Sequence, residues 1–261
     1  MTSRWFDLSG CDNTRDLGGL PTVDGRVTRR GVLLRSDTLQ ELTGPDVERL
    51  RDDFGLRTVI DLRAPAEAAR EGRGPLGAPD PEPTGPRAPV EYHNLSFLKT
   101  EYVMPDDPRF PLIVADLDAQ DRVEHYLDYL RRAGDTVAAA LTVIARPGAT
   151  PAVFHCAAGK DRTGVLAALL SDLVGVERDA IVEDFTLTNE RIDRIDARLA
   201  RLPSYRRERR KLTADQMSCR PEVMRGFLDG VDKSWGGTAP FALAHGVDQT
   251  DLARLRTLLV G

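Results

Sequence analysis

His155-Cys156-Ala157-Ala158-Gly159-Lys160-Asp161-Arg162-Thr163-Gly164 is the stretch on which the reading of this chain turns. It sets a cysteine and an arginine at the two ends of a loop of small residues. Before it, Ala152 to His155 follows Pro151 as a short apolar strand. After it, Val165, Leu166, Leu169, Leu170 and Leu173 recur at helical spacing until Gly175, a helix-ending residue. The motif therefore lies on a strand-loop-helix turn. There the loop N–H groups and the unsatisfied first turn of the helix converge and make an anion site.

Each polar residue has a chemical task in such a loop. Cys156 lies beneath the donors, where the local field favours the thiolate, the nucleophilic form. Arg162 carries a planar fork able to hold two oxygens of a phosphoryl group as it passes from sulfur to water, which lysine does less well. The Thr163 hydroxyl is placed to hydrogen-bond the sulfur and help it leave. Spacing alone is weak support, because the chain has 32 arginines and a second Cys-x5-Arg at Cys219 and Arg225. That copy has Pro221, Glu222 and Val223 inside it, no glycine and no preceding strand, so it cannot form a ring of free N–H donors.

At 261 residues the chain can bury one large core, so residues 1–261 read as a single domain. The net charge of −5 argues against a nucleic-acid binder. The three cysteines form no disulfide framework and suit a reducing compartment. His93, His125, His155 and His245 have no metal-site spacing, and no metal or other cofactor is expected. Met1 to Gly10 lacks the apolar stretch of a secretory signal, and the run Val137 to Ala145 is too short to span a bilayer. A cytoplasmic protein is expected, with secretion by a route lacking a cleaved signal left open.

The remaining pattern alternates strand and helix, as in an α/β sheet with helices on its faces. Asp24-Gly25 reads as a type I′ hairpin, and Gly31 to Leu34 as a strand reaching Asp37. Thr43 caps a helix carrying Val47, Leu50 and Phe54, ended by Gly55; Leu56 to Leu62 is a buried strand. Residues 72–89 hold six prolines and four glycines and read as a surface loop, with a substrate-contacting flap as the alternative. The strand Val90 to Phe97 then rejoins the sheet beside the one before it. Helices over Asp121 to Ala133 and Asp135 to Ala145 precede the cysteine strand, and the last third is all helix.

Several residues support the site or merely the fold. Asp61 and Arg63, at the end of a buried strand, belong at the carboxyl edge of the sheet where α/β sites form, or make an internal ion pair fixing loops. Asn13, Arg15 and Asp16 read as scaffolding, with Gly18 and Gly19 permitting a tight turn. Cys11 is a buried cysteine or a redox partner of Cys156. Arg198, Arg201, Arg206, Arg207, Arg209, Arg210 and Lys211 form a basic cluster. It is either a solvated helical face or a cationic rim for polyanionic headgroups or an anionic membrane surface.

The loop HCAAGKDRTG, together with Asn13-Thr14-Arg15-Asp16-Leu17-Gly18-Gly19, Leu34-Arg35-Ser36-Asp37 and Val59-Ile60-Asp61-Leu62-Arg63, resembles the bacterial tyrosine phosphatases of triple specificity over nearly the whole chain. Thr14 stands where an aromatic residue is common in that family. The resemblance implies metal-independent hydrolysis of phosphotyrosine, phosphoserine or phosphothreonine, and phosphoinositides through a cysteinyl-phosphate. Cys156 is then the nucleophile and Arg162 the clamp. Lys160 and Asp161 are the family's loop pair, and Ala157, Ala158 and Gly159 line the phosphate, with His155 in support. Lysine at the place of Lys160 can meet a second phosphate or simply balance charge around the anion, and a helical lid over about 188–233 is implied.

The expected fold is a cysteine-phosphatase α/β domain with a central, mostly parallel sheet and a helical carboxyl-terminal third. The partners are a phosphoprotein, a phosphoinositide or a small phosphorylated substrate. A phosphatase of a small metabolite, sulfur transfer or arsenate reduction, and a catalytically silent phosphate-binding module are the rival readings. No Trp-Pro-Asp loop is present, so Asp161 is the first candidate for the general acid and Asp61 the second.

Overall fold

In the computed structural model, which describes residues 3–77, 89–98, 118–205 and 217–261, the apolar runs become the middle of one sheet. Strands β1 (Arg15–Asp16), β2 (Leu33–Ser36), β3 (Thr58–Asp61), β4 (Glu91–Asn94) and β5 (Ala152–His155) lie in the order β1-β2-β5-β3-β4. β1 is antiparallel to β2 and every other pair is parallel. β2, β3 and β5 are buried along their whole length. Their side chains alternate between two cores, with Leu33, Ile60 and Phe154 on one face and Leu34, Val59 and Val153 on the other. Burial on both faces is why these strands read as continuous apolar runs. β4, at the edge, is only half-buried.

Helices α1 (Gly44–Glu48), α2 (Pro65–Glu71), α3 (Ala119–Ala145), α4 (Asp161–Leu173), α5 (Arg178–Thr186), α6 (Ile192–Leu199), α7 (Pro221–Trp235), α8 (Thr238–Ala244) and α9 (Gln249–Leu259) surround the sheet. Thr43 caps α1 as expected, and the Asp46 carboxylate returns the favour by accepting from the Thr43 N–H at 2.9 Å. α4 is buried on nearly every side from Arg162 to Ser171, so it is the central helix of the larger core. The two helices expected before β5 are one helix, α3, kinked at Ala133. A Cβ at the neighbouring Gly134 would collide with the His245 ring at 2.0 Å, so the glycine lets α3 approach the end of α8.

Three expectations need correction. The hairpin at Asp24-Gly25 exists, with the Thr22 N–H donating to the Arg26 carbonyl, but it is not type I′. Only Gly25 has positive φ (+82°), and a type I′ turn needs it at both central residues. The span 188–233 is not one lid: α7 sends Val223, Met224, Phe227, Leu228 and Val231 into the main core. Arg198 is no open cationic rim, because its guanidinium is buried on Asp12 at 2.7 Å and Glu41 at 2.8 Å. Arg206 to Lys211, like residues 78–88 of the Pro/Gly-rich segment, lies outside the described residues.

Candidate active site

The parallel register brings Ser36, His155 and Asp61 side by side at the carboxyl ends of β2, β5 and β3. A ligand site in an α/β sheet belongs at this edge. The loop from Cys156 to Lys160 crosses it and enters α4 at Asp161. Gly159 is required there by its φ of +66° and because a Cβ would lie 2.6 Å from the Asp37 N and the Ser36 O.

The four carbonyls from Cys156 to Gly159 are held from behind. The Cys156 O lies 3.1 Å from the His155 Nδ1, and the Ala157 O accepts from the Thr38 N–H at 3.0 Å. Asn13 Nδ2 donates to the Ala158 O at 2.9 Å and the Gly159 O at 3.1 Å, and Arg35 Nη2 donates to the Gly159 O at 2.8 Å. In a trans peptide unit the N–H points opposite to the C=O. Fixing these four oxygens therefore turns the N–H groups of Ala157, Ala158, Gly159 and Lys160 to the other side of the loop.

The polar side chains of the loop are each engaged. Arg162 makes a two-pronged ion pair with Glu67 of α2, Nη1–Oε2 2.6 Å and Nη2–Oε1 3.3 Å. Glu67 also accepts from the Ala64 N–H at 2.7 Å and the Tyr205 hydroxyl at 2.6 Å. Burial pushes the Glu67 carboxyl up, but the charge and hydrogen bonds of Arg162 outweigh it and leave the group below the usual range. Lys160 Nζ donates to the Met217 carbonyl at 3.0 Å and lies 3.9 Å from Asp161. Asp161 accepts from the Tyr126 hydroxyl at 2.6 Å; burial would raise its pKa, yet Lys160 and that hydrogen bond lower it overall. The Thr163 Oγ1 is buried without a hydrogen-bond partner among the described residues, so the expected bond to sulfur is not made in this state.

Asp61 and Arg63 form the internal ion pair, Oδ2–Nη2 2.7 Å, both fully buried, and Asp61 also accepts from the Tyr92 hydroxyl. Burial resists the Asp61 charge, but His155, Arg63 and Tyr92 hold its carboxyl well below the usual range. That is a poor setting for a proton donor. Burial lowers the His155 pKa to about 4, so the ring is neutral near pH 7. Asp16 caps the turn beside β1, accepting from the Gly18 N–H at 2.7 Å and the Gly31 N–H at 2.8 Å. The Cys11 thiol is buried and donates to the Thr38 carbonyl at 3.2 Å. Burial and then Asp37 push its pKa up, the opposite of what a reactive redox partner needs. Burial likewise pushes the Cys219 thiol up to about 11, and Arg225 turns away to Asp179, so the second Cys-x5-Arg makes no site.

Reading the sequence missed Glu67, Tyr126, Tyr205, Arg35 as a loop contact, and Asp184. Glu67 is a first-turn acid of α2 and Asp184 one polar residue among several in α5, positions with no local mark of a site.

The sequence model of the tyrosine phosphatase family matches residues 6–261. The chain is 26% identical to the triple specificity protein phosphatase PtpB of Mycobacterium tuberculosis, over 98% of this chain and 99% of that protein. It is 31% identical to a candidate tyrosine-protein phosphatase of Cupriavidus necator, over 94% of this chain and 84% of that one. Among solved structures, the core catalytic domain of the PP-IP phosphatase SIW14 from S. cerevisiae overlaps 65% of this chain and 77% of that one at 15% identity; its TM-score of 0.34 is too low to carry a structural comparison. Among the described residues no helix is long and apolar enough to cross a membrane. With its match running from Phe6 to the last residue, the chain belongs to the tyrosine phosphatase family and is a phosphoric monoester hydrolase of the protein-tyrosine-phosphatase type.

Proposed function

We propose that the enzyme hydrolyses phosphate monoesters through a cysteinyl-phosphate on Cys156, with phosphotyrosine, phosphoserine or phosphothreonine and phosphoinositides as substrates. The observation that carries this is the loop whose four carbonyl oxygens from Cys156 to Gly159 are held from behind, leaving four successive N–H groups for an anion. In the first step the Cys156 thiolate attacks phosphorus, an S–P bond forms, the ester P–O bond breaks, and the leaving oxygen takes a proton. In the second step water attacks phosphorus, the S–P bond breaks and inorganic phosphate leaves. The N–H groups and the Arg162 fork meet the charge on the equatorial oxygens in both steps. The Thr163 hydroxyl, buried without a hydrogen-bond partner among the described residues, can donate to the departing sulfur.

Asp161 is the proton donor of this scheme. Lys160 and Tyr126 keep it ionised in the free enzyme, and a bound phosphate dianion pushes it the other way by like-charge repulsion. The broad substrate range rests on the triple specificity of the PtpB relative and on Lys160, a cation beside the phosphate loop suited to a second phosphate. Residues 1–261 act as one catalytic domain in this reading. Three free, buried cysteines suit a reducing, cytoplasmic setting, and the net charge of −5 fits an enzyme that does not bind nucleic acid. The basic residues from Arg201 to Lys211 remain the part of the chain suited to an anionic membrane surface.

The test is turnover in the presence of a chelator on phosphopeptides, phosphoinositides and phosphorylated metabolites. Hydrolysis of phosphotyrosine and of a phosphoinositide supports the reading. Activity confined to one small metabolite contradicts it.

A further inference from the structure

Behind the phosphate loop, out of reach of any substrate, three guanidiniums converge on one carboxylate. Asp184 Oδ1 binds Arg4 Nη1 at 2.8 Å and Arg15 Nε at 3.1 Å, and its Oδ2 binds Arg35 Nη1 at 2.5 Å. Arg15, Arg35 and Asp184 are almost wholly buried. Arg35 also reaches the loop directly, and Arg15 reaches it through Asn13. Arg35 uses its second Nη on the Gly159 carbonyl. Arg15 Nη1 donates to the Asn13 Oδ1, which fixes the Asn13 amide so that its Nδ2 faces the Ala158 and Gly159 carbonyls. Arg15 Nη2 is tied in turn to the Asp184 carbonyl at 2.8 Å and to Thr188 Oγ1 at 3.1 Å.

A purely structural ion pair has no use for this arrangement. Burying two guanidiniums, with a third partly exposed, on one carboxylate leaves a surplus of positive charge in a low-dielectric place, and such charge is costly unless something else compensates it. Among the described residues Arg35 Nε is buried with no hydrogen-bond partner. An anion bound on the front of the loop supplies the missing compensation through a single layer of peptide groups. We propose that Asp184 is a positioning residue for phosphate-ester hydrolysis: by aligning Arg35 and Arg15 it locks the Ala158 and Gly159 carbonyls backward and so sets the Gly159 and Lys160 N–H groups toward the phosphoryl oxygens. The proposal rests on the function given above.

Charge and geometry predict opposite signs here. Asp184→Asn removes a negative charge behind the loop, so a role through charge alone tightens anion binding. If alignment is the role, the same variant weakens it, because Arg35 and Arg15 lose the group that sets their direction. The measurement is calorimetric binding of tungstate, a phosphate-like anion needing no turnover, together with the rate of Cys156 alkylation by iodoacetate and the thermal midpoint. Loss of hydrogen bonds to charged groups corresponds to a tungstate affinity lower by about tenfold to hundredfold, with slower alkylation and a lower kcat. Asp184→Glu should recover part of each.

Tungstate binding at wild-type strength or tighter, with only the thermal midpoint lowered, would overturn the proposal. If Asp184→Asn does not fold, Arg35→Lys decides: it keeps the charge but cannot span Asp184 and the Gly159 carbonyl together, so unchanged tungstate affinity there overturns it equally. A wild-type enzyme that neither hydrolyses phosphate esters nor binds tungstate removes the proposed function and the proposal with it. Normal wild-type behaviour with unaffected variants removes the proposal alone.

Discussion

The two sides of the phosphate loop are built on opposite plans. Behind it, Asn13, Arg15, Arg35 and Asp184 are buried; Asn13 and Arg35 hold the loop's backbone oxygens, and Asp184 and Arg15 hold those two side chains in turn. In front, Arg162, Lys160 and Asp161 are held by Glu67, the Met217 carbonyl and Tyr126, partners that a phosphate group can displace or share. The back sets geometry once, at folding. In the proposed mechanism the front stores its cations against protein acceptors until an anion arrives, so a change in front should act on turnover and a change behind on the loop itself.

Arg162 is where the contrast should break most severely. Arg162→Lys keeps the charge but loses the fork, and kcat should fall by about 10²- to 10³-fold, with KM changing far less. An effect confined to KM would make Arg162 a binding group only.

Glu67→Gln comes next. Removing one partner of a buried pair leaves an uncompensated guanidinium, a loss of up to about 3 kcal/mol in stability for the free enzyme. Bound tungstate should return part of it, because the anion then faces Arg162. Because the Arg162 fork loses the carboxylate that orients it, kcat should fall about tenfold, while KM does not rise since a competing carboxylate is gone. A rise in KM with kcat intact would mean that Glu67 merely shapes the pocket.

Asp161 and Tyr126 sharpen the comparison through pH. A general acid works protonated, so kcat/KM is highest below its pKa and declines as pH rises through it. Asp161→Asn should slow phosphotyrosine hydrolysis more than that of p-nitrophenyl phosphate, whose leaving group hardly needs a proton. Tyr126→Phe removes one of the causes that lower the Asp161 pKa, so the declining limb should move to higher pH. A limb indifferent to both variants assigns Asp161 to loop structure.

The smallest effect is expected at Lys160. Lys160→Met should weaken activity on polyphosphorylated headgroups more than on phosphotyrosine. The gap should narrow as salt screens the charge over about 10 Å at 0.1 M ionic strength. Equal losses on both substrates would remove the second-phosphate role.

The front loop was legible because its chemistry is contiguous: Cys156 to Thr163 lie between a strand and a helix that announce themselves by apolar periodicity. β2, β3 and β5 were legible for the same reason. The partners of that loop were not. Glu67 meets Arg162 across 95 residues, Tyr205 meets Glu67 across 138, and Asp184 meets Arg35 across 149. No local signal distinguishes a carboxylate that will be buried on an arginine from one that will face water, since both occupy a polar position on an amphipathic helix. The hairpin at Asp24-Gly25 failed in a different way. The sequence named a turn, and its type was decided by Thr22, whose hydroxyl donates to Asp24 at 2.6 Å and accepts from the Arg26 N–H at 3.1 Å.

The central claim is that phosphate passes through the sulfur of Cys156. Acid-quenched single-turnover mixtures, read by intact mass and then by peptide mapping, test it most directly. The account predicts a transient phosphoryl adduct on Cys156 of the wild type. Cys156→Ser should show none and no turnover while still binding tungstate, and a Cys219 variant should behave as wild type. An adduct on another residue, or a Cys156→Ser enzyme with activity within about tenfold of wild type, would contradict it.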